Sequence, residues 1–305
     1  MSFESMRKFR AALIKVFEPW ERRQIRWLSP GMQEQRAQVL SALGMMHPLY
    51  DRMECCGEMD ENRNNMRVCG VPLCPRCFLR RRGKETGRAL GEAFVGVPNE
   101  QLAFLTLLLE TMLDLSTVDP GIQATKRRIR NMIAYQRRHD PRWNDVQLTG
   151  WWEMDRDSYG DLEGFGRNKR MAMQALGWPL FARAYESTVW RPHLHGIVGL
   201  GGVTAQEFAD ALRARGHGAP YQVNVKPFDR DRSVVRNIKG VIRYALKFRI
   251  ERDFKGESQE NCDATRSLGF VRSWWGQEDI REYVEWLMCK RGGFERLRFV
   301  VRASY

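Results

Sequence analysis

Histidine is scarce in this chain of 305 residues, with five in all, and cysteine is confined: five of the seven thiols fall between Cys55 and Cys77, and the next is Cys262. No uninterrupted run of about 18 apolar residues occurs, so no transmembrane helix and no membrane partner are expected. Met1 to Trp20 carries basic residues but lacks the continuous apolar core and small-residue cleavage site of a secretory signal. That points to the cytoplasm, where thiols stay reduced and disulfides are not expected. Internal repeats and low-complexity tracts are missing, and 43% apolar residues with ten tryptophans exclude a disordered chain. Acid is in deficit, with 37 Asp and Glu against 50 Lys and Arg, a formal charge of +13. The excess is largely arginine, whose planar fork suits phosphate. Such a balance favours a polyanion partner, nucleic acid ahead of an anionic membrane, although a merely basic soluble protein would carry the same charge.

Two of the five histidines stand together in Trp190-Arg191-Pro192-His193-Leu194-His195-Gly196-Ile197-Val198-Gly199. Bulky apolar residues, a proline at the entrance and a glycine at the exit predict a strand. Successive strand side chains alternate faces, so His193 and His195 share one face and Leu194 takes the other. Two imidazoles on a stiff element are half of a metal site, or else a pair of hydrogen-bonded core histidines.

Cys74-Pro75-Arg76-Cys77 has the C-x-x-C spacing in which a tight turn aims two sulfurs at one ion. Cys69 lies five residues earlier, and Cys55 or Cys56 can complete a four-sulfur zinc site, so four of these five thiols are candidate ligands. A redox C-x-x-C is the competing reading, but it calls for a thioredoxin-like strand and helix around it. Arg80, Arg81, Arg82, Lys84 and Arg88 follow directly. On a helix rooted in the zinc loop they form either a cationic ridge for DNA phosphates or an ordinary solvated face.

Apolar spacing predicts helices within residues 1–50, at Phe9 to Phe17 and at Val39 to Leu43, separated by Pro30-Gly31. Leu102 to Leu109 is an apolar run suited to a buried strand, and 121–138 reads as a helix carrying Arg127 and Arg128. Val146 to Met154 reads as a strand, Ala205 to Arg215 as a helix, Tyr221 to Val225 as a short strand and Val234 to Ile250 as a helix. After a charged link at 251–266, a helix from Glu278 to Lys290 and a strand at Leu297–Val301 close the chain. This order predicts an α+β fold, a central antiparallel sheet with flanking helices, preceded by a helical N-terminus and a Cys-rich zinc-binding segment. Four segments are expected: 1–50, 51–95, 96–250 as the catalytic domain, and 251–305 as an extension whose role the residues do not reveal.

Glu153 closes a strand that can lie beside the histidine strand, with Asp155 and Asp157 following at period two as further oxygen donors. Two imidazoles and a carboxylate leave open positions on a divalent ion, Mg²⁺ or Mn²⁺, which a phosphodiester substrate needs. In Ile242-Arg243-Tyr244-Ala245-Leu246-Lys247-Phe248, Tyr244 and Lys247 share a helix face. A tyrosine hydroxyl ionises near pH ~10, so it needs an ammonium or a metal to act as a nucleophile at neutral pH. Taken alone, Y-x-x-K is common by chance.

An apolar strand, a Glu strand, a Pro-His-Leu-His strand and a Tyr-x-x-Lys helix, in that order, resemble the HUH endonucleases. The upstream Cys-Pro-x-Cys, followed by an aromatic and arginines, is more specifically similar to the rolling-circle replication initiators of bacterial plasmids. The likeness spans roughly residues 55–250. It implies His193, His195 and Glu153 as metal ligands on a central antiparallel sheet, and Tyr244 as the nucleophile that nicks origin DNA. A 5′-phosphotyrosine and a free 3′-OH would result, with Lys247 steadying the phosphate. It also implies single-stranded or hairpin origin DNA as substrate, and a host helicase and polymerase as partners. The chain departs from the family in two places. Gly240 stands one helical turn before Tyr244, where single-tyrosine relatives often carry a glutamate thought to activate water, and no second tyrosine lies near enough for a paired-tyrosine motif. The stretch between Glu153 and His193 is long, as for an inserted DNA-contacting loop bearing Arg167, Lys169, Arg170 and Arg183.

Overall fold

A computed structural model describes residues 25–60, 65–158, 165–178, 188–247, 250–251, 274–289 and 294–304. The helix expected at Phe9 to Phe17, Arg183, most of the 251–266 link and Cys262 lie outside these residues. Two helices, α1 (Pro30–Leu43) and α2 (Tyr50–Glu54), precede a small hairpin of β1 (Met59–Asp60) and β2 (Asn65–Met66), then α3 (Pro75–Arg88). There follow β3 (Leu102–Leu108), α4 (Val118–His139), β4 (Gln147–Ser158), α5 (Arg167–Ala175), β5 (Thr188–Gly199) and α6 (Ala205–Arg213). The chain continues through β6 (Val223–Pro227), α7 (Val234–Ala245), α8 (Gln277–Met288), α9 (Phe294–Leu297) and β7 (Arg298–Val301). The fold is α+β, with β3 to β7 in one antiparallel sheet of order β6-β3-β5-β4-β7, so the histidine strand is central. No described helix is long and apolar enough to cross a membrane.

Alternation along the central strands divides the interior. Leu105, Leu107, Trp152, Leu194 and Val198 join Ile122, Ile129, Met132 and Ile133 of α4 in one core. On the other face Trp151, Ile197 and Phe104 meet Phe78 of α3 and Ile238 and Ile242 of α7. The sheet thus separates α4 from α3 and α7. Gly150 and Gly196 sit directly opposite each other on β4 and β5, and a Cβ on either would lie under 3.0 Å from the neighbouring leucine, Leu194 or Leu148. A side chain at either position would have to push that leucine aside beneath α4, so the bare backbone favours this close packing.

The sequence pattern located the five strands of the sheet and helices α1, α4, α6, α7 and α8, but it missed α2, the β1–β2 hairpin, α5 and α9, as well as some bounds. Pro30 opens α1 at a position where its missing N–H costs nothing, rather than merely ending a preceding helix. Strand β4 runs four residues past Met154, because Asp155 and Asp157 are buried and paired with Arg191 rather than solvated in a turn. Helix α7 stops at Ala245, short of the expected Ile250. The described residues beyond 273 are joined to the rest: β7 pairs with β4, and α8 packs on α1 through Arg281 Nε donating to the Ala42 carbonyl at 2.7 Å.

Behind α6 the chain buries His217, 1% exposed, with neither ring nitrogen hydrogen-bonded. Burial, reinforced by the Arg128 guanidinium, pulls this imidazole down to a pKa of about 4. A folded-state value below the unfolded 6.5 means stability fully present above pH 6.5 and lost as pH falls toward 4. Chemical denaturation between pH 7 and pH 4 should therefore show a loss on the order of 3 kcal/mol that His217→Leu removes; an identical pH slope in the variant would contradict the assignment.

Candidate metal centres and the tyrosine beside them

Antiparallel pairing puts Glu153 of β4 opposite His193, and both Trp151 of β4 and Thr106 of β3 beside His195. Glu153, His193 and His195 are buried, at 6%, 4% and 3% exposure. The Nε2 atoms of His193 and His195 lie 3.3 and 3.4 Å from one Glu153 carboxylate oxygen. The opposite ring nitrogens are engaged elsewhere: His193 Nδ1 with the Arg191 carbonyl at 3.2 Å, and His195 Nδ1 with the Thr106 hydroxyl at 3.1 Å. A carbonyl can only accept, so His193 donates from Nδ1 to Arg191 and presents Nε2 to Glu153. Outer hydrogen bonds of this kind orient metal-binding imidazoles. The three side chains offer ligand atoms within 4.8 Å of one another and can hold a metal ion.

Asp155 and Asp157 share the face but not the site. Both accept from the buried Arg191, Asp157 from Nε at 2.6 Å and Asp155 from Nη2. Their expected role as oxygen donors to the ion is corrected accordingly: a guanidinium already holds them. Burial pushes the Asp157 carboxyl above the usual carboxylate range despite that pairing. The arrangement fixes Arg191, whose carbonyl in turn fixes His193.

Tyr244, on the last turn of α7, is 45% exposed. Its ring meets the His195 ring edge-on at 4.8 Å between centroids, and Phe104 supports it at 5.6 Å. Helix α7 is held against the sheet by Ile238 and Ile242, which places Tyr244 on the histidine face. Lys247 comes just after the helix end, with Nζ 3.3 Å from the centre of the Tyr244 ring. The ammonium thus covers the ring face, rather than standing one turn along a shared helix as the spacing suggested. A small cavity of about 20 Å³ adjoins this corner, lined by Glu153, Lys247, Tyr283, Leu73 and Phe78.

The second cluster lies in the loops before α3. Sulfurs of Cys56, Cys69, Cys74 and Cys77 are buried, with Cys77 3.7 Å from Cys56 and 3.4 Å from Cys69, and Cys74 3.6 Å from Cys56. A tetrahedron with metal–sulfur bonds of about 2.3 Å has edges of about 3.8 Å. The spacing fits four thiolates around one ion such as zinc. Cys55 stays outside the cluster and half-buried, which resolves the choice between the adjacent cysteines in favour of Cys56. Pro75 starts α3 directly after Cys74, so a helix N-terminus faces the sulfurs. Contacts with Cys69 and then Cys74 hold the Cys56 thiol far below its usual range, while those with Cys56 first hold Cys74 far above it.

The basic run after the cluster does not act as one ridge. Arg80 and Lys84 are exposed, but Arg81 and Arg88 turn to the buried Glu85 at 3.4 and 2.8 Å. Glu85 also accepts from Trp151 Nε1 at 3.2 Å and faces Arg298 Nε at 3.1 Å. It therefore ties the cysteine-bearing helix to the strand beside His195. Arg82 is half-buried. Arg127 and Arg128 lie on α4, across the sheet from the triad, so they do not belong to the surface around Tyr244. Arg167, Lys169 and Arg170 begin α5, where Lys169 sits over the Phe165 ring at 3.4 Å.

Sequence reasoning missed Glu85, Thr106 and Arg191. Thr106 had a signal: a single hydroxyl inside an apolar strand. Arg191 had one too, at period two before His193. Glu85 had none, because a glutamate among arginines on a helix looks solvated.

Cys77→Ser is expected to abolish one equivalent of bound metal and lower the melting temperature by well over 5 °C, since such sites contribute folding free energy directly. Cys55→Ser should leave metal content and melting unchanged. Elemental analysis with calorimetry checks both, and equal losses in the two variants would contradict the assignment. No family model matches the chain, and no match was found among curated proteins or solved structures.

Proposed function

We propose that this chain is a metal-dependent enzyme that cuts and rejoins a DNA strand through Tyr244, of the HUH endonuclease kind and nearest in task to a rolling-circle replication initiator. The observation that carries the reading is a half-exposed phenol packed at 4.8 Å on one of two buried imidazoles that converge on a carboxylate. Mixed nitrogen and oxygen ligation admits Mg²⁺ or Mn²⁺ at Glu153, His193 and His195, with Mn²⁺ the better match to imidazole, and four sulfurs favour zinc at the cysteine cluster. A divalent ion, when bound, withdraws charge from a phosphodiester oxygen and orients the phosphate.

The chain's own residues supply the rest. The Tyr244 hydroxyl oxygen bonds to phosphorus and gives up its proton to solvent. The bond from phosphorus to the 3′ oxygen breaks, and that oxygen takes up a proton to leave as a 3′-OH. One phosphodiester replaces another, so the strand can be rejoined without an external energy source. The Lys247 ammonium, over the tyrosine ring, favours the phenolate and can reach an incoming phosphate. Exposed Arg80 and Lys84 supply cations on the helix packed beside α7.

A transposase or mobilisation relaxase would share this chemistry, though relaxases usually carry the tyrosine ahead of the histidines. A DNA-binding regulator would account for the cysteine cluster and the positive charge, but not for the tyrosine beside the triad.

Incubation of the full chain with Mn²⁺ and single-stranded oligonucleotides tiling its own coding and flanking DNA tests the proposal. A covalent protein–DNA adduct is expected on a denaturing gel, abolished by Tyr244→Phe and by EDTA. His193→Ala or His195→Ala should reduce it at least about 100-fold, the equivalent of several kcal/mol of transition-state stabilisation. Adduct formation that survives Tyr244→Phe would overturn the assignment, and no adduct with any oligonucleotide would favour the regulator.

Gly240 generates a second expectation. A Cβ there meets nothing within 4 Å, so a side chain fits. Gly240→Glu should stabilise α7 by about 0.5–1 kcal/mol through helix propensity. It should also speed hydrolytic release of the Tyr244–DNA adduct, measured as multiple turnover; unchanged release would show that a carboxylate there activates no water in this chain.

A further inference from the structure

Helix α4 presents a second, separate surface. Its apolar stripe, Ile122, Ile129, Met132 and Ile133, is spent against the sheet. Between residues 120 and 139 it carries Lys126, Arg127, Arg128, Arg130, Arg137 and Arg138 and no acidic residue. Three of the six cations are already used. Lys126 Nζ donates to the Arg296 carbonyl at 3.3 Å, Arg137 donates to the Trp143, Val146 and Arg302 carbonyls, and Arg130 lies over the Phe299 ring at 5.0 Å.

Arg127, Arg128 and Arg138 are exposed, as are Asn131 and Tyr135 between them. At 100° per residue they cluster on the helix side opposite the buried stripe, along about 16 Å of helix. Arg215, from the turn after α6, lies over the Tyr135 ring at 4.5 Å and adds a fourth guanidinium. Nearby acids are matched: Asp210 with Arg213 at 2.7 Å, and Glu207 with Arg142 at 3.0 Å. The result is a line of guanidinium groups, with no ion pair to an acid among the described residues, on the sheet face away from Tyr244.

We infer that this face binds the phosphate backbone of duplex DNA, independently of sequence, while the opposite face handles the strand to be cut. Guanidinium forks suit phosphate, and a helix whose one acid, Asp119, is paired with Arg296 at its far end can approach a groove edge. Single strands are held chiefly by exposed aromatic platforms. On α4 the exposed phenol ring, Tyr135, already lies against Arg215 and His139, the latter stacked at 4.2 Å. A duplex is therefore the better match. Geometrically, a site on each side of the sheet lets the chain hold flanking double-stranded DNA while a strand reaches the tyrosine.

The test uses the full chain and a fluorescein-labelled 30-base-pair duplex of arbitrary sequence, followed by anisotropy across a potassium chloride series. Arg127→Ala/Arg128→Ala/Arg138→Ala should weaken duplex binding at least 10-fold. Its slope of log affinity against log salt should shrink by about 2 to 3, close to 0.9 per lost phosphate contact. The triple lysine variant, which keeps the charge, should retain most of the slope. Both should melt within a few degrees of the parent, because these are exposed side chains. Unchanged affinity and slope in the alanine variant, or no duplex binding by the parent chain, would overturn the inference. The nickase reading fails separately: duplex binding through these arginines without any tyrosine–DNA adduct would sink that reading and leave this one standing.

Discussion

A glutamate and two histidines, each under 7% exposed and facing one another, make a costly arrangement that must be offset. Burial strips a carboxylate of its hydration, a penalty of several kcal/mol even after relaxation. Both imidazoles point Nε2 at that carboxylate, and a divalent ion among the three would offset the penalty. The Arg191 carbonyl and the Thr106 hydroxyl engage both outer ring nitrogens, so both Nε2 atoms turn inward. The rest of the fold is consistent with keeping that geometry: a central strand for the histidines, a glycine pair that lets β4 lie close, and Arg191 clamped by two aspartates.

The cysteine cluster belongs to the same construction. It fixes the start of α3, and α3 packs its Phe78 among the residues that also hold α7. Through Glu85 the same helix reaches Trp151, the strand neighbour of His195. The segment 51–95 is therefore a buttress for the helix that bears Tyr244 as well as a candidate metal site. The C-terminal residues contribute in a similar way, since Arg298 of β7 faces Glu85 and Tyr283 of α8 closes the cavity next to Glu153.

How much of this could be read in the sequence depended on periodicity. Where polar residues repeat at two or apolar ones at three to four, the elements and their faces were visible: His193 and His195, Glu153, Tyr244, the apolar stripe of α4. The C-x-x-C spacing likewise marked the sulfur cluster, although Cys55 and Cys56 are adjacent and only the turn after α2 distinguishes them. Long-range pairing was invisible. Nothing in Arg80 to Arg88 indicates that two arginines turn inward to Glu85, because the partner Trp151 is 66 residues away. Nor does the charge on α4 reveal that the sheet stands between it and the histidines. Asp155 and Asp157 looked like ligands because their partner Arg191 lies across a strand pairing that only the fold creates.

Diffraction from crystals soaked in Mn²⁺, with data collected at a wavelength where manganese scatters anomalously, tests the central claim most directly. The expected map has one strong peak bounded by Nε2 of His193, Nε2 of His195 and a Glu153 carboxylate oxygen, with the Tyr244 hydroxyl facing its open side. A peak bound elsewhere, or none at the triad under saturating Mn²⁺, would contradict the claim that these three buried side chains exist to hold an ion.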